Sequence, residues 1–252
     1  MSYLRTSDLA RAVGVHPNTV RRYVDWGLLP PVERTPAGYR LFTQRHLDCL
    51  RLARLIYIAA YPGRGLRQSG LKVILQLVSG DLPAALQQAN RHLELVQSEQ
   101  RQADAAATLL ERWAEQQADQ PVGPVLQIGQ VARLLDVTVD MLRNWERNGL
   151  IAIPRDPSNG YRRYTSLEIG RLRIIRLLGR VGYSHMAMLR MFLQLDRGDA
   201  RGLRLALDTP RPDEDIFFAA DRWLSTLAEQ SDCARRAVAL IEEIISRPST
   251  AP

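Results

Sequence analysis

Two cysteines, Cys49 and Cys233, stand far apart in 252 residues. That usage excludes a disulfide framework and implies a reducing cytoplasm. Neither has a second cysteine nearby, so a thiolate metal site is not expected and both read as small buried residues. The histidines His16, His46, His92 and His185 share no ligand spacing. Lysine is nearly missing, with Lys72 alone of its kind. An arginine preference explains the type of cation but not where the cations sit. No stretch approaches the roughly 18–20 apolar residues of a membrane span, and the first residues lack the apolar centre of a signal peptide. Gly63-Arg64-Gly65 follows no strand and is no dinucleotide fingerprint. No nucleophile–base set stands out. The expectation is therefore a non-enzyme without metal, cofactor or membrane partner.

What the chain does have is positive charge in two places. The net charge is +7. Residues 1–55 hold nine arginines against four acids, and 126–178 hold nine against five, so the remainder is slightly acidic. Localised basic excess is the footprint expected of phosphate-binding surfaces. Those same segments are copies of each other at an interval of 122 positions. Arg21-Arg22-Tyr23-Val24-Asp25-Trp26-Gly27-Leu28-Leu29 returns as Arg143-Asn144-Trp145-Glu146-Arg147-Asn148-Gly149-Leu150-Ile151, and Gly38-Tyr39-Arg40-Leu41-Phe42 returns as Gly160-Tyr161-Arg162-Arg163-Tyr164. The alignment runs without a gap from Leu4/Leu126 to Leu55/Leu177. Such a repeat fixes the architecture before any residue is given a role.

Each copy spells a helix-turn-helix and a wing. Leu9, Ala10 and Val13 lie at helical spacing, and Gly14-Val15 supplies a turn whose glycine tolerates a left-handed backbone. A second helix runs from about Pro17 to Asp25, with Pro17 at its first position and His16 as N-cap. Thr138 is the corresponding and better cap. Val20 with Tyr23, and Leu142 with Trp145, fall three apart on the core side or its rim. A helix of this kind fits the major groove, its N-terminal residues at base edges. The Gly-Tyr-Arg-x-aromatic segments form a hairpin wing whose Tyr and Arg reach phosphates or the minor groove.

The combination of a Leu-x-x-x-x-Leu/Val-Ala start, an Arg-x-aromatic-x-x-x-Gly-Leu helix end and this wing resembles the DNA-binding domain of the MerR family of transcription regulators. The resemblance implies a winged-helix head, two short helices, and a long helix that dimerises as an antiparallel coiled coil. It also implies promoter DNA as ligand, distortion of that DNA, and RNA polymerase as a further partner. The sequence itself supports the grip and is silent on the distortion.

The long helices can be read from periodicity. Leu86, Ala89, Leu93, Val96, Gln100, Ala103, Ala107, Leu110 and Ala114 step by threes and fours, as do Phe217, Ala220, Leu224, Leu227, Ser231, Ala234, Val238, Ile241 and Ile245. The predicted fold class is mainly α. Residues 1–82 form a first winged helix-turn-helix head with accessory helices, 83–118 its long helix and 119–125 a linker. Residues 126–207 form the second head, 208–214 a proline-rich break and 215–247 the second long helix. From Leu86 to Ala114 a helix rises roughly 42 Å, while the linker reaches at most roughly 25 Å. The second head must then start near the far end of the first long helix. This favours an intramolecular antiparallel coiled coil, a monomeric pseudo-dimer, over a homodimer with four heads.

By position, Arg21/Arg143, Tyr39/Tyr161, Arg40/Arg162 and Arg163 face phosphate. Base edges fall to Asn18, Thr19 and Arg22 in the first head, and to Asp140, Met141 and Asn144 in the second. His16 and Thr138 stand at the helix starts as caps or contacts. Tyr23 and Trp145 have two readings, DNA contact or packed core aromatic. Unequal sets predict an asymmetric or imperfectly palindromic site. Two other functions compete with promoter regulation: a sequestering protein that binds small molecules, and an architectural DNA-bridging protein. Only Arg247 to Pro252 follows the second seam, so no effector domain is expected there.

Overall fold

In a computed structural model of the chain, the described residues are 3–58, 64–116, 123–210 and 219–248. In chain order the elements are α1 (Thr6–Ala12), α2 (Pro17–Asp25), β1 (Glu33–Arg34), β2 (Arg40–Leu41), α3 (Gln44–Ile58), α4 (Arg64–Ser79), α5 (Leu82–Glu115), α6 (Ile128–Leu135), α7 (Val139–Arg147), α8 (Ser166–Arg180), α9 (His185–Leu195), α10 (Leu203–Asp208) and α11 (Trp223–Ser246). Two compact units result. One comprises Met1–Ser98 with Thr226–Pro252, and the other Glu99–Ser225.

The repeat is visible in the smallest local features. Leu4 bridges Phe42 and, 122 positions on, Leu126 bridges Tyr164. The Arg5 N–H donates to Asp8 at 2.8 Å at the start of α1, and the Gln127 N–H donates to Gln130 at 2.8 Å at the start of α6. Each closes an orphan amide of a helix N-terminus. The turn after α1 uses Gly14 at φ 65°, and its counterpart after α6 is Asp136 at φ 50°. Aspartate is one of the few non-glycine residues at home in the left-handed region. Thr43 and Thr165 open α3 and α8. The Thr43 N–H donates to His46 Nδ1 at 3.1 Å, and the Thr165 N–H to Glu168 at 2.7 Å. His46 Nε2 lies 3.3 Å from the Pro31 carbonyl, so the proton belongs on Nε2 and the neutral ring serves as cap.

In the first unit Leu9, Val20, Phe42 and Leu50 form one buried cluster with Ala85 and Ala89 of α5 and Ala237 and Ile241 of α11. Arg247 clamps the buried Asp48 at 2.7 Å. In the second unit Val131, Leu142, Leu150, Tyr164 and Leu172 are buried in the corresponding places. The later part of α5 closes that unit. The Tyr183 hydroxyl donates to the Ala103 carbonyl at 3.2 Å, and Trp113 meets Phe192 edge-on. Arg204 pairs with Asp104, donates to Thr108 at 2.8 Å and reaches Glu111 at 3.6 Å. Arg190 is buried and donates to the carbonyls of Ala206, Leu207 and Asp221, tying α10 and the following 3₁₀ turn to α9.

Ala89, Val96, Ala103 and Leu110, at steps of seven in α5, are buried, as are Leu227, Ala234 and Ile241 in α11. The heptad seams therefore run along the inward faces, with Leu86, Gln100, Leu224 and Val238 half-buried. Leu93 is half-buried and the adjacent His92 is 1% exposed, because the inward face is centred one residue earlier there. Ile245 is exposed at the end of α11. The second long helix, expected from 215, becomes α-helical at Trp223 after a 3₁₀ turn at Ala219–Arg222. The Asp208 carboxylate accepts from the Ser225 N–H and so caps the α-helix at that point. The seam position Phe217, the side chain of Ala220, and most of the linker and of the proline-rich break lie outside the described residues.

Burial drives the pKa of His92 down to about 4. A depressed folded-state value means that the contribution is present above the unfolded pKa near 6.5 and is lost as pH falls toward 4. Denaturation midpoints of the chain and of His92→Gln, followed between pH 7 and 4, should diverge, the native chain losing up to about 3 kcal/mol more. Parallel curves would show that His92 is not held neutral.

Candidate nucleic-acid interface

The second helix of each head begins with a side-chain cap. His16 Nδ1 accepts from the Asn18 N–H at 3.2 Å, and Thr138 Oγ1 accepts from the Met141 N–H at 3.1 Å. These are the caps expected of His16 and Thr138, and both residues are exposed. Asn18, Arg21 and Arg22 on α2, and Asp140, Met141 and Arg143 on α7, are exposed as well, while Thr19 and Asn144 are half-buried. Arg22 lies over the exposed Trp26 ring at 4.8 Å, a cation–π contact that holds the guanidinium along the helix. Tyr23 and Trp145 are only 5% and 6% exposed. Of their two readings, this burial favours the packed core aromatic. The i, i+3 spacing with Val20 and Leu142 turns both rings inward, and the exposed Trp26 ring packs edge-on against Tyr23 at 5.9 Å.

The wing of the first head is the β1–β2 hairpin, with Glu33 opposite Leu41 and Arg34 opposite Arg40. Its turn is closed by the Gly38 N–H donating to the Thr35 carbonyl at 2.8 Å, with Gly38 at φ 83°. The second wing pairs Arg155 with Arg162. There the Gly160 N–H reaches back to Asp156, one residue further. The ungapped alignment therefore fails locally. One residue fewer before the turn and one more within it cancel, so the sequence register resumes at Gly38/Gly160. The longer turn is filled by its own side chains: Asp156 accepts from the Ser158 N–H at 2.9 Å, and Asn159 from the Tyr161 N–H at 2.9 Å. The Ser158 hydroxyl and N–H hold the Asp156 carboxyl below the usual range, so this turn carries a firm negative charge.

Both wings present a tyrosine to solvent, Tyr39 at 74% and Tyr161 at 68% exposure. Arg40 and Arg162 are half-buried and Arg163 is exposed. In the second head, wing and helix are joined: Arg162 Nε donates to Glu146 at 2.7 Å. Glu146 went unremarked in the sequence. The available signal was its alignment with Val24, an acid where the other copy has an apolar residue. Arg21 instead donates to Asn18 at 3.2 Å, and Arg143 pairs with Asp140 at 3.3 Å. Burial raises the thiols of Cys49, to about 12, and of Cys233. Among the described residues no three His, Cys, Asp or Glu side chains come together as a metal group.

A capped helix following a tight turn, with a hairpin wing beside it and exposed arginine and tyrosine on both, defines a winged helix-turn-helix, and the chain has two. Residues 127–164 match the model of the MerR family regulatory protein and residues 4–56 that of the MerR HTH family regulatory protein. The HTH-type transcriptional regulator CueR of Escherichia coli O157:H7 is 34% identical over 112 residues, 41% of this chain and 81% of that protein. The mercuric resistance operon regulatory protein of Bacillus cereus is 34% identical over 77 residues, 31% of this chain and 54% of its own length. A ZntR homolog of Haemophilus influenzae is 30% identical over 91 residues, 36% of this chain and 63% of its own length. The chain belongs to the MerR family and carries two domains of its type. No solved structure matches it.

The caps make a stability test. Thr138→Ala should cost about 1 kcal/mol in chemical denaturation and Thr138→Asp should restore it. Equal stability of the alanine variant would mean that the α7 amides find other partners.

Proposed function

We propose that the protein is a sequence-specific, double-stranded DNA-binding transcription regulator whose one chain supplies two non-identical reading heads. The observation that carries this reading is the paired interface itself. At the same interval of 122 residues, each head exposes an arginine on its second helix and a tyrosine on its wing. Arg21/Arg143, Tyr39/Tyr161, Arg40/Arg162 and Arg163 are assigned to phosphate, which positions the protein without reading sequence. Asn18, Thr19 and Arg22 read bases for the first head, and Asp140, Met141 and Asn144 for the second. Arginine suits guanine, asparagine adenine, and a carboxylate the cytosine amino group. Different readers imply an asymmetric or imperfectly palindromic promoter site, whereas a two-fold homodimer favours a palindrome. The mercury-resistance and CueR relatives are named as regulators, which fits a promoter target, RNA polymerase as neighbour, and a cytoplasmic setting.

The pairing assigned to the long helices, 83–118 with 215–246 in one antiparallel pseudo-dimer, is supported by the single buried cluster that joins Ala85 and Ala89 to Ala237 and Ile241. A duplex gripped at two points by such a body would be bent or untwisted between them, at a cost of order 1–6 kcal/mol for the bend. Sedimentation of the purified chain, alone and with a duplex selected from random sequence, tests the reading. The expected result is a 28.5 kDa particle that binds one duplex one-to-one at a discrete, non-palindromic footprint. A stable dimer without DNA would overturn the single-chain pairing. Diffuse coverage would turn the assignment toward an architectural protein, and no binding toward a sequestering one.

A further inference from the structure

The constant interval between the copies allows their charges to be compared position by position. Among the described residues no carboxylate pairs with Arg21 or Arg40: Arg21 leans on the neutral Asn18 Oδ1 at 3.2 Å. Both counterparts in the second head are committed. Arg143 pairs with Asp140, which replaces Asn18, and Arg162 pairs with Glu146, which replaces Val24. The two pairs differ in kind. Asp140 and Arg143 are largely exposed and 3.3 Å apart, with side chains 88% and 54% accessible, so water and salt screen them strongly. Glu146 and Arg162 are 2.7 Å apart and only 20% and 27% accessible. Their charge-assisted contact is the stronger and holds the wing against the reading helix.

We propose that the two heads grip DNA unequally, and that Glu146, with Asp140 in a lesser part, is the residue that makes the second head the weaker and more selective one. The inference rests on the two-headed DNA-binding reading above. A guanidinium with a carboxylate at 2.7 Å presents little net charge to an approaching phosphate. Either the pair is broken, or the phosphate is met by the two remaining nitrogens with an anion close behind them. Each neutralised phosphate contributes about 0.9 to the logarithmic salt slope, so a self-neutralised arginine contributes less than a free one. Asp140 lies at the second position of α7, where its negative charge complements the positive end of the helix dipole. That anion penalises a misplaced phosphate or base acceptor and accepts from cytosine. The first head thus supplies most of the non-specific hold. The second adds affinity chiefly where its half-site fits.

The experiment measures affinity and salt slope of the full chain on its selected duplex. Arg40→Ala should weaken binding about tenfold or more and lower the slope by about one, while Arg162→Ala should cost less than threefold. Glu146→Gln, close to isosteric, should tighten binding and raise the slope. In that background Arg162→Ala should become as costly as Arg40→Ala. Val24→Glu, checked for an unchanged melting transition, should transfer the effect to the first head and lower its slope. Equal penalties for Arg40→Ala and Arg162→Ala in the native chain, or no coupling between positions 146 and 162, would overturn the inequality. A native chain that binds no duplex at any salt would overturn the DNA-binding reading and the inference with it.

Discussion

The constraint on which the structure depends is that each head completes its buried interior with helices from outside the helix-turn-helix. A helix-turn-helix of about fifty residues has a small interior, and domains of that size are marginal without added surface. The chain meets this with helices that come from elsewhere in its sequence. In the first unit, Ala237 and Ile241 join the cluster around Leu50, and Arg247 satisfies the carboxylate of Asp48, which is 5% exposed. In the second, Tyr183 donates to the Ala103 carbonyl 80 residues earlier, and Arg204 binds Asp104 a hundred residues earlier. A buried hydroxyl or carboxylate left unpaired would cost more than its bond returns. These contacts therefore specify which segment of long helix each head accepts. The seam residues Ala89, Ala103, Ala107 and Ala234 are buried, as are Ala106 and Ala237 beside them.

Within that frame the two copies solve the same local problems with different chemistry. Gly14 and Asp136 both hold the left-handed turn. His46 and Glu168 both cap the helix behind the wing. The substitution has a physical consequence: a carboxylate caps as an anion, whereas imidazole caps only while neutral, and burial keeps the His46 pKa low. Phe42 and Tyr164 both pin the strand after the wing against the chain entering the head. Conserved geometry with altered side chains makes the comparison of charges meaningful, since Arg40 and Arg162 leave the backbone at corresponding places.

Much of this was legible in the sequence because it is periodic or repeated. The interval of 122 located both heads, the caps at His16 and Thr138, and the glycines of the wings. The steps of seven located the inward faces of α5 and α11. What escaped depends on rotation or on distance. A helix turns about 100° per residue, so heptad counting does not separate His92 from Leu93. Spacing placed Tyr23 and Trp145 at the core or its rim without fixing how deep they lie. Two one-residue differences within the wings cancel, so an ungapped alignment conceals them. The Glu146–Arg162 pair joins residues 16 apart across a turn, beyond the reach of helical spacing rules. The start of α11 depends on Asp208, 17 residues before the amide it caps.

Covalent duplication has an electrostatic meaning that a symmetric pair of chains does not offer. In a homodimer every substitution appears twice, so a carboxylate on the reading helix would be imposed on both half-sites. On the two-headed reading, two copies of Asp140 and Glu146 would place four anions at a face whose hold depends on phosphate neutralisation. In one chain the acids occur in one head, while α2 keeps Arg21 and Arg22 against a single Asp25. On the two-headed reading, hold and discrimination need not be balanced within each head; they are divided between them. On the same reading, the formal charge of the two repeats is a poor guide to their grip. The segments differ by one unit in formal charge, but in the second head the wing arginine Arg162 and the helix arginine Arg143 are both already paired.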